Sequence, residues 1–160
     1  MIENIAAAAA PPPPGGSPLI LLNAGPPAPS RPEPMKPGTY IRKRRIAAGL
    51  EIDKVALLLG STRRDSVGVR NQLIMMEADQ GSDHGLLVTR LKDAFPFDPY
   101  VYFALVDVLA DPTLPAPQIC RSCACTWHDA CEDESGPCAW VSGEPDLCTA
   151  CEGNEPADAA

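Results

Sequence analysis

The sequence predicts a mainly helical protein in which a five-helix domain is followed by a small, irregular, metal-stabilised cysteine-rich module. Alanine and proline dominate residues 1–37, which predicts a disordered N-terminal tail. Apolar residues then recur at helical spacing in five short runs between residues 38 and 110. All seven cysteines follow, within the 32 residues from Cys120 to Cys151.

The N-terminal tail contains a run of five alanines and four consecutive prolines, a composition that favours an extended and unpacked chain. Its apolar patch Leu19–Leu22 is too short to span a bilayer and lacks the basic flank of a signal peptide. Because the cysteine count is odd and no stretch reaches 18 apolar residues, we expect no membrane partner and a reducing cytoplasm.

The first two helices are predicted from caps and periodicity. Thr39 is expected to cap a first helix that ends at Gly49, where glycine permits a left-handed stop. The second helix places Ile52, Val55, Leu58 and Leu59 on one face and closes at Gly60.

Three more helices are expected after a polar loop from Gly60 to Val69. The third begins at Arg70 and has Leu73 and Met76 on one face. The fourth covers residues 84–95, with His84 as a surface residue near its start. The fifth has Asp98 as its cap and Pro99 in its first position.

The cysteine-rich segment, residues 119–152, is called the cysteine module below; a proline-containing linker, 111–118, precedes it and a short disordered tail, 153–160, follows. Two C-x-x-C pairs bracket the module, which is the spacing of two turns that clamp one tetrahedral zinc ion. We therefore predict an outer zinc site formed by Cys120, Cys123, Cys148 and Cys151.

The remaining potential ligands suit a second, inner site formed by Cys125, His128, Cys131 and Cys138. Seven cysteines with one histidine supply eight ligands, enough for two closed structural sites. An iron-sulfur cluster also takes four cysteines, and redox thiols or disulfides are a further alternative. The module has few other apolar groups, so metal binding should supply most of its folding free energy, with Trp127 and Trp140 as a miniature core.

Charge is distributed unevenly along the chain, whose net charge is −8. Residues 39–110 have ten basic and nine acidic residues, whereas residues 111–160 have only Arg121 against ten acidic residues. The acidic module is therefore a poor candidate for contact with DNA phosphates and a better one for contact with a protein.

The helical segment resembles the lambda-repressor-like (XRE/Cro-repressor type) helix-turn-helix family. IRKRRIAAGLEIDKVALLLG resembles the first two helices of that family, LIMMEAD the end of its recognition helix, and VTRLKDAFPFDPYVYFALVD its closing helix pair. Together with the cysteine-rich tail, the pattern is similar to uncharacterised phage and prophage-type bacterial proteins. The resemblance implies the cytoplasm of a bacterial or phage-infected cell.

The resemblance also implies which residues contact DNA. The recognition helix would begin with Arg70, Asn71 and Gln72, whose side chains suit base edges in the major groove. Phosphate contacts would come from basic residues of the first helix and of the loop that follows the second helix: Arg42, Lys43, Arg44, Arg45, Arg63 and Arg64. The basic run on the first helix has a simpler alternative interpretation as a solvated helix face.

We expect a zinc-stabilised transcriptional regulator that binds double-stranded DNA as a homodimer. The alternative is a zinc-stabilised adaptor protein that no longer recognises DNA and whose acidic cysteine module binds another protein. We do not expect an enzyme, because the thiols are accompanied by neither a nucleotide-binding loop nor a spare acid-base pair.

Overall fold

A computed structural model describes residues 33–81, 85–133 and 136–153 of the chain. The predictions for the N-terminal tail up to residue 32, for His84 and for the final residues from 154 lie outside these ranges. Within the described ranges the fold is mainly helical, as predicted, with short strands in the cysteine module.

The helices run from Pro37 to Ala47 (α1), Ile52 to Leu59 (α2), Arg63 to Glu77 (α3), Gly85 to Leu91 (α4) and Pro99 to Ala110 (α5). Helix α3 packs against α2 and α1, and α5 packs against α1 and α4. Apolar side chains from all five helices meet in one core, in which Tyr40, Ile41, Leu73, Leu91 and Leu105 are almost fully buried.

The ends of α1 and α5 mostly follow the predicted signals. Gly49 has a φ of +68°, and Gly49 N and Leu50 N donate to the carbonyls of Ile46 and Arg45, so glycine ends α1 as expected. Asp98 caps α5 by accepting from Tyr100 N at 2.8 Å. The predicted Thr39 cap is wrong, because Pro37 occupies the first turn and Thr39 lies inside the helix.

The predicted loop from Gly60 to Val69 is also wrong, because α3 already begins at Arg63. Thr62 caps the helix by accepting from Asp65 N at 3.1 Å. Ser66, Val69, Leu73 and Met76 are buried at intervals of three or four residues, which is one continuous helical face. Only Gly60, Ser61 and Thr62 therefore separate α2 from α3.

Two small antiparallel ribbons form the cysteine module. Strand β1 (Glu132–Asp133) pairs with β2 (Gly136–Pro137), and β3 (Trp140–Val141) pairs with β4 (Glu144–Cys148). A single 3-10 turn, Thr149–Cys151, follows β4 and returns the chain towards the cysteines.

The cysteine module packs directly on the helices. Ile119 and Ala124 are buried in the same apolar core as the helical side chains. A second, smaller core contains Leu147 and three buried cysteines, with Trp140 and Val141 packed against it. Of the predicted tryptophan core, only Trp140 is inside, because Trp127 is 72% exposed. None of the described helices is long and apolar enough to cross a membrane.

Candidate metal centre and nucleic-acid interface

Two sets of four cysteines, each with Sγ atoms within 4.8 Å of one another, could hold metal ions in the described part of the chain. The first set contains Cys120, Cys123, Cys148 and Cys151, the residues of the two C-x-x-C pairs. The second contains Cys123, Cys125, Cys131 and Cys148. Such groups of thiolates suit zinc and other thiophilic metals, and closed sets of four protein ligands are typical of structural sites.

The backbone explains how cysteines that are neighbours in sequence reach one cluster. Ala124 has a φ of +61°, and the turn is closed by hydrogen bonds from Cys120 N to Cys125 O and from Ala124 N to Cys120 O. This left-handed residue reverses the chain between Cys123 and Cys125. Strand β4 and the 3-10 turn then bring Cys148 and Cys151 to the same place.

The cluster is buried enough to perturb its thiols. Cys120, Cys125 and Cys148 are buried and the other cysteines are half-buried. Burial raises the pKa of Cys151 to about 11, whereas hydrogen bonding to Cys123 lowers the pKa of Cys120 below its usual value. Thiols such as Cys151 are therefore protonated at neutral pH without metal, and a metal ion must displace their protons to bind.

Two members of the predicted inner site, His128 and Cys138, belong to neither set. His128 is exposed, and its backbone N donates to Thr126 Oγ1 at 3.2 Å. Cys138 Sγ lies 3.7 Å from Cys125 Sγ and accepts from Cys131 N at 3.2 Å. Cys125 and Cys131 do come together, but with Cys123 and Cys148 in place of His128 and Cys138.

Helix α1 holds the cysteine module through two basic side chains. Lys43 Nζ donates to the carbonyls of Arg121 and Ser122, at 2.5 and 3.3 Å, within the first C-x-x-C turn. Arg44 donates to Pro96 O and to Asp129 O, and forms an ion pair with Asp129 Oδ2 at 3.1 Å. Lys43 and Arg44, which were predicted to contact DNA phosphates, therefore join α1 to the cysteine module instead.

Asp129 is a residue of this centre that the sequence reasoning missed. Its Oδ1 accepts from Thr126 N at 2.9 Å and from Thr126 Oγ1 at 2.5 Å, which closes the turn that contains Trp127 and His128. The T-x-x-D spacing was an available signal for such a turn. The pairing with Arg44, 85 residues away in sequence, had no local signal.

Arg45 is internal as well, because both of its terminal groups are occupied within the helical domain. Its Nε and Nη2 donate to the two carboxylate oxygens of Glu77 at 2.6 and 2.8 Å, and Nη1 donates to Leu50 O at 2.7 Å. Of the basic run from Arg42 to Arg45, Arg42 alone is exposed.

The exposed basic residues nearest to the α2–α3 turn are Arg63 and Arg64, in the first turn of α3. Arg70, Asn71 and Gln72 are also exposed, but they lie in the middle of α3 and not at its start. Arg70 Nε forms an ion pair with Asp53 Oδ1 at 2.5 Å on the surface of α2.

The chain matches no family model, no curated protein and no solved structure. The chain has a five-helix domain followed by a cysteine cluster that could bind metal.

Proposed function

We propose that this protein is a DNA-binding transcriptional regulator whose cysteine module is a structural, zinc-binding element. The observation that supports the proposal is the α2–turn–α3 unit, two packed helices joined by three residues. A short turn of this kind is typical of helix-turn-helix proteins, in which the second helix enters the major groove. The resemblance to lambda-repressor-like and prophage-type proteins agrees with this proposal.

The exposed face of α3 supplies the groups that DNA binding requires. Its buried face leaves Arg63, Arg64, Val67 and Asn71 on the surface, with Arg63 and Arg64 at the helix N-terminus. Residues at that end of a recognition helix contact bases, and both arginines also suit phosphate or guanine. Arg70 can exchange its exposed partner Asp53 for a phosphate at little cost.

Zinc is the metal that best fits the two four-cysteine sets. Four thiolates in a closed group match the tetrahedral sulfur coordination of structural zinc. Bound zinc would supply folding free energy to a module whose own apolar core is small. Elemental analysis of protein purified without chelator tests this part, and iron in place of zinc would contradict it.

Fluorescence anisotropy with a random-sequence duplex at several salt concentrations tests DNA binding. The double variant Arg63→Ala/Arg64→Ala should weaken binding, and the slope of log K against log salt should fall by roughly 0.9 for each lost phosphate contact. The matched control Lys36→Ala/Lys92→Ala removes the same charge from exposed sites outside α3, one just before α1 and one just after α4. If both pairs weaken binding equally, or if the unaltered protein shows no salt-dependent binding, the proposal fails.

A protein-binding adaptor is a second candidate, which the surface around Trp127 favours. Trp127 stacks edge-on against Trp140 at 6.3 Å but remains 72% exposed, in a segment with strong negative charge. Exposed tryptophans are common anchors of protein interfaces. A stoichiometric protein partner that is lost on Trp127→Ala, together with no DNA preference, would favour this function.

A further inference from the structure

The two four-cysteine sets are not separate, because Cys123 and Cys148 belong to both. Six thiols therefore account for both sets. The Sγ atoms of the shared pair lie 3.7 Å apart. Two sulfurs bound to one tetrahedral zinc at 2.3 Å are separated by about 3.8 Å, so the shared pair already has the spacing of one edge of a tetrahedron.

Separate sites would need eight ligands, of which the chain has seven cysteine thiols. His128, the histidine of the module, is exposed and belongs to neither set. Its turn is held by the Thr126–Asp129 hydrogen bonds and by the ion pair from Asp129 to Arg44 on α1. These contacts fix the turn with His128 on the surface, whereas the six thiols of the two sets are already together.

Sharing ligands also reduces the charge that the small module must hold. Two divalent ions with six thiolates carry a net charge of −2, compared with −3 for a four-cysteine site beside a three-cysteine, one-histidine site. Burying excess charge is costly unless it is compensated. Lys43, which contacts the first C-x-x-C turn, and Arg44, which contacts Asp129, provide positive charge at the module's contact with α1.

We propose that the cysteine module binds two divalent metal ions in one binuclear thiolate cluster in which Cys123 and Cys148 bridge the ions. Cys120 and Cys151 complete the coordination of one ion, and Cys125 and Cys131 complete that of the other. Cys138 then serves as a hydrogen-bonded neighbour of Cys125 and Cys131 and is not a required ligand. This inference rests on the metal-binding part of the proposed function and is independent of DNA binding.

Cadmium-113 NMR and zinc X-ray absorption on the full chain test the bridge directly. Two cadmium ions per chain, with two resonances that show mutual coupling through the shared sulfurs, are expected. The zinc-loaded protein should show a short zinc–zinc distance, because two ions that share two sulfurs at about 2.3 Å, with those sulfurs 3.7 Å apart, lie within about 3 Å of each other. Two uncoupled resonances, no such short distance, or a single bound ion would overturn the proposal.

Two variants distinguish the bridged cluster from two independent sites. His128→Ala and Cys138→Ser should each retain two metal ions per chain by native mass spectrometry, with the cadmium coupling preserved. Independent sites would lose one ion from either variant. His128 is exposed, so its variant keeps the test informative even if cysteine variants fold poorly. Coupled cadmium resonances in a protein that does not bind DNA would contradict the proposed regulator and support the cluster. DNA binding without coupled resonances would contradict only the cluster.

Discussion

Arg44 and Arg45 are neighbours in the sequence, yet their guanidinium groups have different partners and different structural consequences. Arg44 is 4% exposed and holds Asp129 of the cysteine module, whereas Arg45 is 6% exposed and holds Glu77 of α3. A charged run alone cannot reveal this, because successive residues on a helix point about 100° apart. Each arginine is internal because its partner, 85 residues away for Arg44 and 32 residues away for Arg45, is brought to it by the fold.

Replacing Arg45 with Met should destabilise the protein by about 3–5 kcal/mol, since the buried carboxylate of Glu77 would lose its charge partner. Urea unfolding of the metal-loaded protein, followed by far-UV circular dichroism, measures this loss. The double variant Arg45→Met/Glu77→Leu should recover most of it, because neither charge remains buried. Arg42→Met, at an exposed site, should change stability by less than about 0.5 kcal/mol. Equal losses for Arg42→Met and Arg45→Met would contradict the internal role.

Gly60 is required by the close approach of α2 and α3. A Cβ at this position would lie 2.3 Å from Ser66 Oγ and 2.6 Å from Ser66 N, and the latter is helix backbone that cannot rotate away. Gly60→Ala should therefore cost about 1–3 kcal/mol of stability and weaken DNA binding by displacing α3.

Gly68 is the matched control for Gly60. A Cβ there would meet nothing within 4 Å, and the residue lies inside α3. Gly68→Ala should therefore stabilise the protein by up to about 1 kcal/mol, because alanine is the better helix former. Stabilisation by both substitutions in thermal melts would contradict the close contact at Gly60.

At the scale of elements, the start of α3 shows what periodicity could and could not predict. Leu73 and Met76 indicated the second half of the helix, but the polar stretch before them and Gly68 favoured a loop. The signal for the true start was Thr62 followed by Asp65, a cap position with an acidic residue three further on. Buried Ser66, a small polar residue, continues the helical face without adding an apolar signal.

The cysteine module shows a different limit. Spacing identified the pairs at its two ends, since C-x-x-C turns are local. The partition of the middle cysteines depends on the left-handed turn at Ala124 and on which strand returns beside it. Alanine has no special preference for a positive φ, so nothing in the sequence marked this reversal. The thiols at the two ends of the module could therefore be grouped from their spacing, whereas the grouping of the middle cysteines could not.

At the scale of the whole molecule, the cysteine module contacts helix α1, and α1 also packs against α3, the proposed DNA-binding helix. Residues 111–160 have a net charge of −9, which would repel DNA phosphates. A bound duplex should therefore contact α3 and be kept away from the module. The charge distribution would in this way orient the protein on DNA without adding to its affinity.

The shared core predicts that metal removal destabilises the helices as well as the cysteine module. Ile119 and Ala124 belong to the helical core, and Arg44 depends on Asp129 in a turn beside the cysteines. If chelation unfolds the module, the helices lose the Arg44–Asp129 ion pair and the apolar contacts of Ile119 and Ala124, which costs a few kcal/mol. The melting temperature of the helices should fall by on the order of 10 °C.

Both tryptophans of the chain lie in the cysteine module, so their fluorescence reports the module while far-UV circular dichroism reports the helices. In the metal-loaded protein the two signals should change at one temperature, because the two parts share a core. In Arg44→Met, chelation should lower the melting temperature of the helices by less than in the unaltered chain, since the ion pair with Asp129 is already absent. Lys92→Met, at an exposed site, serves as the charge-matched control and should retain the full shift.

Helices that melt at the same temperature with and without metal would show that the two parts are energetically independent. A fall in melting temperature that is the same in Arg44→Met would instead assign the coupling to the apolar contacts of Ile119 and Ala124.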